Sequence, residues 1–91
     1  METKKLNKEI QIFILKILNK QFMYSEEIIE RCIDEYNGKI SSPNPSLAIK
    51  NQIKNLSDAK LVAYYHGYKI TPKGKELILE SWLKIFISWN F

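Results

Sequence analysis

A strand–turn–strand pattern at residues 61–70 constrains this chain most, because it introduces a hairpin into a sequence otherwise patterned for helices. Residues 61–65 and 68–70 are rich in β-branched and aromatic side chains, and His66-Gly67 between them is a two-residue turn candidate. A chain of 91 residues has room for one hydrophobic core. We therefore expect a single α+β domain over residues 1–91 that is mostly α.

Helix-start signals stand on both sides of this hairpin. Asn44-Pro45 precedes it and Thr71-Pro72 follows it, and each pair joins a side chain that can cap a helix to a proline suited to the first helical position. The pattern predicts a third helix over about 45–59 and a fourth over about 72–89. The core side of the third helix is predicted to consist of Ile49, Ile53 and Leu56.

Apolar residues at helical spacing between residues 5 and 20 predict a first helix. Its core face would consist of Leu6, Ile10, Phe13, Ile14, Ile17 and Leu18. Ile12 and Leu15 fall outside that face, so they either widen the buried side or contact another subunit.

A second helix is predicted to begin at Ser25, whose hydroxyl can cap it, and to stop at Asn37-Gly38. Its buried stripe would consist of Ile29, Cys32, Ile33 and Tyr36. Glu26, Glu30 and Asp34 would lie on the outer side as a solvated acidic stripe.

Charge is distributed unevenly along the chain. The net charge is +4, yet residues 39–75 carry seven lysines and one acidic residue, and residues 24–38 carry five acidic residues and one arginine. The outward face of the third helix belongs to the basic segment and combines Lys50, Asn51, Lys54 and Asn55. Such a face is typical of a surface that binds an anionic partner, although it is also compatible with an ordinary solvated helix.

The fourth helix has more apolar surface than one contact requires. Its apolar positions cover about 200° of the helical wheel, whereas a stripe of about 100° is enough for packing on one domain. We expect the excess to form a homodimer interface with the first helix. The interface residues would be Ile12, Leu15, Trp82, Ile85, Phe86 and Trp89.

Two segments resemble the winged helix-turn-helix regulators of the MarR-like and PadR-like families. Residues 53–62, Ile-Lys-Asn-Leu-Ser-Asp-Ala-Lys-Leu-Val, resemble the end of a recognition helix that turns into the wing. Residues 68–77, Tyr-Lys-Ile-Thr-Pro-Lys-Gly-Lys-Glu-Leu, resemble the wing exit and the start of the last helix. Lys60 stands where these families usually have glycine, so a left-handed backbone there would be mildly strained.

The resemblance implies a winged helix fold: three helices, a short two-stranded β-hairpin wing and a long C-terminal helix. The helix-turn-helix would span about 25–59, the wing about 61–70 and the dimerisation helix about 72–89. The resemblance also implies that the third helix enters the major groove of double-stranded DNA. The DNA-binding residues would be Ser42, Asn44, Ser46, Lys50, Asn51, Lys54, Asn55, His66 and Lys69. Ser42, Asn44 and Ser46, around the start of the third helix, would contact phosphates.

Several other classes find no support in the sequence. The chain has no nucleophile with an adjacent base, no paired acid site with a cleft and no glycine-rich phosphate loop, so we expect no enzyme activity. One cysteine and one histidine do not suffice for a usual zinc site, and we expect no metal or cofactor. The chain lacks a signal-peptide pattern and a long apolar run, which predicts a cytoplasmic protein that does not enter the membrane.

Two functions remain as hypotheses. The first is a dimeric transcriptional regulator, a repressor, that binds double-stranded DNA through helix 45–59. The alternative is a winged helix protein-interaction module that docks a partner through its apolar C-terminal helix. The acidic second helix and the short wing favour the alternative, and the basic third helix favours DNA.

Overall fold

The computed structural model describes the backbone of residues 2–80 and the side chains of residues 5–80. The elements follow the predicted order of three helices, a hairpin and a further helix, and the class is α+β, mostly helical. The first three helices are α1 (Glu2–Leu18), α2 (Ser25–Glu35) and α3 (Pro45–Asp58). The hairpin strands are β1 (Val62–Tyr64) and β2 (Tyr68–Ile70), and residues 72–80 form α4.

One apolar cluster holds the described elements together. Its buried members are Ile10, Ile14, Leu15, Ile17, Leu18, Met23, Ile28, Ile29, Cys32, Ile49, Ile53, Leu56, Val62 and Ile78. The predicted core side of the third helix is confirmed, and the predicted face of the first helix is confirmed except that Leu6 and Phe13 are only partly buried. Because each helix contributes its apolar stripe to this cluster, the opposite sides of α2 and α3 face outward.

The start of α2 differs from the sequence prediction. Ser25 is already helical, Tyr24 is the N-cap residue, and no side chain bonds to the first turn at this position. Ile28, which lies outside the predicted stripe, is fully buried, whereas Ile33 is only half-buried. The buried face of α2 therefore includes Ile28 and is centred nearer the N-terminal end of the helix than predicted.

The start of α3 follows the prediction. The Asn44 side-chain oxygen accepts a hydrogen bond from the Leu47 N–H at 3.1 Å, and Pro45 occupies the first turn. A partly buried polar pair that the sequence did not reveal ties α3 to α1: Gln11 Nε2 donates to Oε1 of the buried Gln52 at 2.7 Å. The bond satisfies an amide that would otherwise be costly to bury.

The hairpin turn is one residue longer than predicted. Tyr64 pairs with Tyr68, so the loop consists of Tyr65, His66 and Gly67 and not of His66-Gly67 alone. His66 and Gly67 both have positive φ, at 53° and 126°. Lys60 has a φ of 63°, a left-handed backbone that glycine would adopt with less strain.

A third chain segment extends the hairpin. Met23, between α1 and α2, pairs antiparallel with Tyr68 through two backbone hydrogen bonds of 3.1 and 2.7 Å. This bridge is not evident from the sequence, because it depends on a contact between residues far apart in the chain. The bridge joins the hairpin to the start of α2, and so it sets the position of the hairpin beside the helices.

The junction between β2 and α4 is also closely specified. The Thr71 hydroxyl accepts a hydrogen bond from the Gly74 N–H at 3.1 Å, which confirms the predicted cap. The same hydroxyl lies 2.9 Å from the Leu61 carbonyl oxygen, to which the Thr71 N–H also donates. Gly74 is buried here, and a Cβ at this residue would overlap the Leu61 oxygen.

Candidate nucleic-acid interface

The outward face of α3 collects four of the predicted DNA-binding residues. Lys50, Asn51, Lys54 and Asn55 are all exposed. Residues four apart lie one above the other on a helix, so the two lysines and the two asparagines form neighbouring rows. Burial of the opposite side of α3 in the core fixes the direction in which these rows point.

A cationic groove runs beside this face. It has a volume of about 350 Å³ and lies between the start of α2, one side of α3 and the hairpin. Its lining residues are Ser25, Lys50, Ile53, Lys54, Ser57, Asp58 and Tyr68. Two ammonium groups and three hydroxyls face one carboxylate here, so the groove favours an anion that accepts hydrogen bonds.

The first turn of α2 has two opposite electrostatic effects on an anion in the cationic groove. Because no side chain caps α2 at Tyr24, its leading backbone N–H groups lack a side-chain acceptor. The positive end of a helix dipole favours an anion nearby. Glu26 and Glu27 also lie in this turn, however, and their charges oppose a phosphate that approaches from the α2 side.

A second groove, of about 370 Å³, separates α2 from α3 on the other side of Lys50. Three carboxylates line it, from Glu26, Glu30 and Asp34, together with Ser46. The predicted phosphate contact by Ser46 is therefore disfavoured, because its hydroxyl lies beside carboxylates that repel a phosphate. Lys50 borders both grooves and marks the boundary between the acidic and the cationic surface.

Two predicted phosphate contacts are part of the loop before α3. The Ser42 hydroxyl accepts a hydrogen bond from the Asn44 N–H at 3.1 Å and donates one to the Asn44 carbonyl oxygen at 3.2 Å. The Asn44 Oδ1 atom is occupied by the cap to Leu47. These side chains primarily order the loop. The side-chain nitrogen of Asn44, Nδ2, is the group that can still donate a hydrogen bond to DNA.

The structure does not bring the predicted wing residues to the α3 face. Tyr68 lines the cationic groove, and alternation along a strand directs its neighbour Lys69 to the other side of the hairpin. His66 lies at the exposed tip, with its ring centroid 4.8 Å from that of Tyr65. Lys69 thus lies on the outer side of the hairpin and His66 at its tip, both away from the α3 face.

The predicted dimer interface needs one correction. Leu15 is fully buried within the core, so it cannot contact a second subunit, and the wider apolar face of α1 serves internal packing. Ile12 is half-buried. Trp82, Ile85, Phe86 and Trp89 lie outside the described residues. Within α4, Leu77 and Leu79 are exposed at 41% and 60%.

Cys32 belongs to the core, as the sequence predicted. Its side chain is fully buried, and burial raises the pKa of the thiol to about 12. A thiol with so high a pKa is protonated at neutral pH, and only the thiolate is an effective nucleophile or metal ligand. Among the residues described, no cluster of three or more histidine, cysteine, aspartate or glutamate side chains is arranged to hold a metal ion.

Comparison of the sequence with models of known protein families and with curated proteins finds no match. Over the described part of the chain, no helix has both the length and the apolar character that crossing a membrane requires. A functional assignment therefore depends on the geometry and charge of the surfaces described above.

Proposed function

We propose that this chain is a winged helix protein that binds double-stranded DNA as a dimeric transcriptional regulator, with α3 in the major groove. One observation carries the proposal: the exposed lysine and asparagine rows of α3 stand next to a cationic groove lined by hydroxyl groups. The order of helices and hairpin is compatible with the winged helix arrangement.

The side chains on α3 suit base recognition. The major groove of B-DNA is about 12 Å wide and admits one helix. Asn51 and Asn55 carry carboxamides, which bond bidentately to adenine, and the lysines can donate to guanine or to phosphate. The asparagines thus act as base readers, and Lys50 and Lys54 bind the flanking backbone.

Phosphates next to the recognised bases would lie along the cationic groove. Lys54, Ser25 and Ser57 supply one cation and two hydroxyl donors there, and phosphate contacts of this kind set the register of a protein on the duplex. Because the acidic groove lies on the far side of Lys50, the duplex meets α3 from the hairpin side.

A homodimer would place two copies of α3 on one face of the DNA. Its operator would be a pseudo-palindrome with half-sites about 10 bp apart or a multiple of that spacing. Leu77 and Leu79 are exposed on different sides of α4, and in the dimer we expect at least one of them to contact the second copy.

Selection from a pool of randomised duplexes tests the proposal. We expect the selection to enrich one sequence. Asn51→Ala and Asn55→Ala should each weaken binding to that sequence by about 5- to 150-fold, which is the loss of affinity expected when one bidentate base contact is removed. Binding to a scrambled duplex should not change. Asn19→Ala, an exposed amide at the end of α1, is the matched control.

Two results would contradict the assignment of base readers. The selection enriches no sequence, or both asparagine variants discriminate between the selected and scrambled duplexes as well as the wild type does. Circular dichroism of each variant verifies that the fold is intact before affinities are compared.

The exposed leucines of α4 also favour a second candidate, a protein-interaction module that docks a partner through the C-terminal helix. Leu77→Ser and Leu79→Ser distinguish the two. In the DNA-binding proposal they weaken self-association measured by sedimentation. In the alternative they leave the chain's own oligomeric state unchanged and abolish binding to a heterologous partner.

A further inference from the structure

Aromatic side chains are exposed around the hairpin in a way that insertion of α3 into DNA does not explain. Tyr65 is 73% exposed, Tyr64 64%, Phe22 54% and Tyr24 47%. Large apolar surfaces that cluster in one place usually mark an interaction site.

The Met23 bridge organises part of this cluster into one surface. Met23 is buried, so alternation along the segment directs Phe22 and Tyr24 to the outer side. Ala63 and Lys69, which pair in register across the hairpin, are both exposed on that side. We call Phe22, Tyr24, Ala63, Lys69 and the tip residue Tyr65 the outer wing surface.

Gly67 brings the tip and the bridge segment together. A Cβ at Gly67 would lie 2.8 Å from Phe22 Cδ2, so the Phe22 ring occupies the space over this glycine. The ring of Phe22 in turn packs edge-on against Tyr24, with centroids 6.4 Å apart. Because Tyr65 N–H donates to the Gly67 carbonyl at 2.8 Å, the tip has a defined shape that exposes Tyr65.

The composition of the outer wing surface indicates the chemistry of the partner. Lys69 is its cation, and the hairpin residues 61–70 contain no acidic side chain. Exposed aromatic rings beside cations are the combination that binds single-stranded nucleic acid, where rings stack on bases and cations contact the backbone. In a duplex, neighbouring base pairs cover the faces of the bases, so this surface fits bases that are unpaired.

We propose that the outer wing surface stacks on unpaired bases of a DNA strand that continues beyond the duplex held by α3. Tyr65 at the tip stacks on the first unpaired base, and Lys69 contacts the phosphate next to it. The inference depends on the proposed function for its duplex contact. The hairpin lies close enough to serve both, since Tyr68 lines the same groove as Lys50 and Lys54.

Three labelled DNAs test the inference with the full chain by fluorescence anisotropy: a blunt duplex, the same duplex with a single-stranded overhang, and the single strand alone. The duplexes carry the selected sequence, and overhangs of either polarity are compared. The wild type should bind the better overhang about tenfold more tightly than the blunt end, which corresponds to stacking of one base. 2-Aminopurine at the first unpaired position should be quenched on binding.

Variants at the tip separate stacking from a structural role. Tyr65→Ala should lose the preference for the overhang and the quenching, whereas Tyr65→Phe, which keeps the ring, should retain both. Blunt-duplex affinity should be the same in both variants. Because Tyr65 is so exposed, neither variant should alter the melting temperature.

The outcomes distinguish the inference from the proposed function. Equal affinity for blunt and overhanging duplexes, or a full overhang preference in Tyr65→Ala, overturns the inference and leaves duplex binding by α3 in place. Binding to the overhang and the single strand without binding to the blunt duplex supports stacking and overturns the proposed function. Absence of binding to all three DNAs overturns both.

Discussion

Replacement of Gly74 by alanine tests how the hairpin is joined to α4. Two effects act in opposite directions. Alanine in a helix is favoured over glycine by about 0.5–1 kcal/mol, because glycine loses more backbone freedom on folding. Against this, the new Cβ would overlap the Leu61 oxygen and lie 2.8 Å from Ile70 Cγ1.

The clash should dominate, because one of the two contacts is with backbone. The Leu61 oxygen already accepts a hydrogen bond from the Thr71 N–H at 3.1 Å, and it shares the Thr71 hydroxyl proton, at 2.9 Å, with the Lys60 oxygen at 2.8 Å, so its displacement weakens these contacts. Overpacking in a tight core costs about 1–3 kcal/mol, and an overlap with backbone belongs to the upper part of that range, about 2–3 kcal/mol. After the gain from alanine is subtracted, Gly74→Ala should destabilise the fold by about 1–2.5 kcal/mol. For a domain of this size, that lowers the melting temperature by roughly 4–20 °C.

Thermal and urea unfolding followed by circular dichroism measure the effect. Gly38 offers a contrasting control, since it has a φ of 80° and a Cβ there would meet no atom within 4 Å. Gly38→Asn should be nearly neutral, because asparagine tolerates this conformation. Gly74→Asn should be at least as destabilising as Gly74→Ala. A Gly74→Ala protein as stable as the wild type, or more stable, would refute the assigned close contact.

Three further predictions concern stability and reactivity. Asn44→Ala should lower the free energy of unfolding by about 1 kcal/mol in urea titrations, because the Leu47 N–H loses its cap; an unchanged value would contradict the cap. Leu15→Ala should cost about 2–5 kcal/mol by creating a cavity, and a smaller loss than in half-buried Ile12→Ala would contradict its core position. Cys32, with its pKa raised from 9.0 to about 12, should react with a thiol reagent at pH 8 far more slowly in the native than in the unfolded protein, and rapid native labelling would contradict burial. Because the buried thiol stays protonated while the thiol of the unfolded chain ionises, the fold should lose stability as pH rises from 9 towards 12; Cys32→Ala should lack this part of the pH dependence in unfolding experiments.

Features that depend only on neighbouring residues in the chain were predicted correctly from the sequence. The caps at Asn44 and Thr71 involve residues three positions apart, and both are confirmed by hydrogen bonds to Leu47 and Gly74. These features depend on the chain within one turn, so a single sequence contains what determines them.

Features that depend on distant contacts were missed or misplaced. The Met23 bridge to β2 and the Gln11–Gln52 hydrogen bond join residues more than 40 positions apart. α2 begins one residue earlier than the expected Ser25 cap, with Tyr24 as the N-cap residue. Leu15 was placed at an interface because helical periodicity on α1 does not reveal how many neighbours surround that helix.

The candidate interface was predicted in part. The sequence identified the rows on α3 by composition, but it contained no signal for the two grooves of opposite charge that meet at Lys50. Nor did it reveal that Phe22 and Tyr24 lie on the same surface as Lys69. Both facts depend on how α2 and the Met23 segment pack, and packing is set by the whole core.

Salt dependence of duplex binding tests the central claim most directly. We would measure anisotropy of a labelled duplex at several salt concentrations with the wild type, the Lys50→Ala/Lys54→Ala protein and the Lys8→Ala/Lys16→Ala protein. The last pair removes the same charge from exposed positions on α1. If α3 binds DNA, the first double variant should lose affinity and its slope of log affinity against log salt should flatten by about 2, while the α1 control keeps the wild-type slope. Equal slopes for the two double variants would contradict binding through α3.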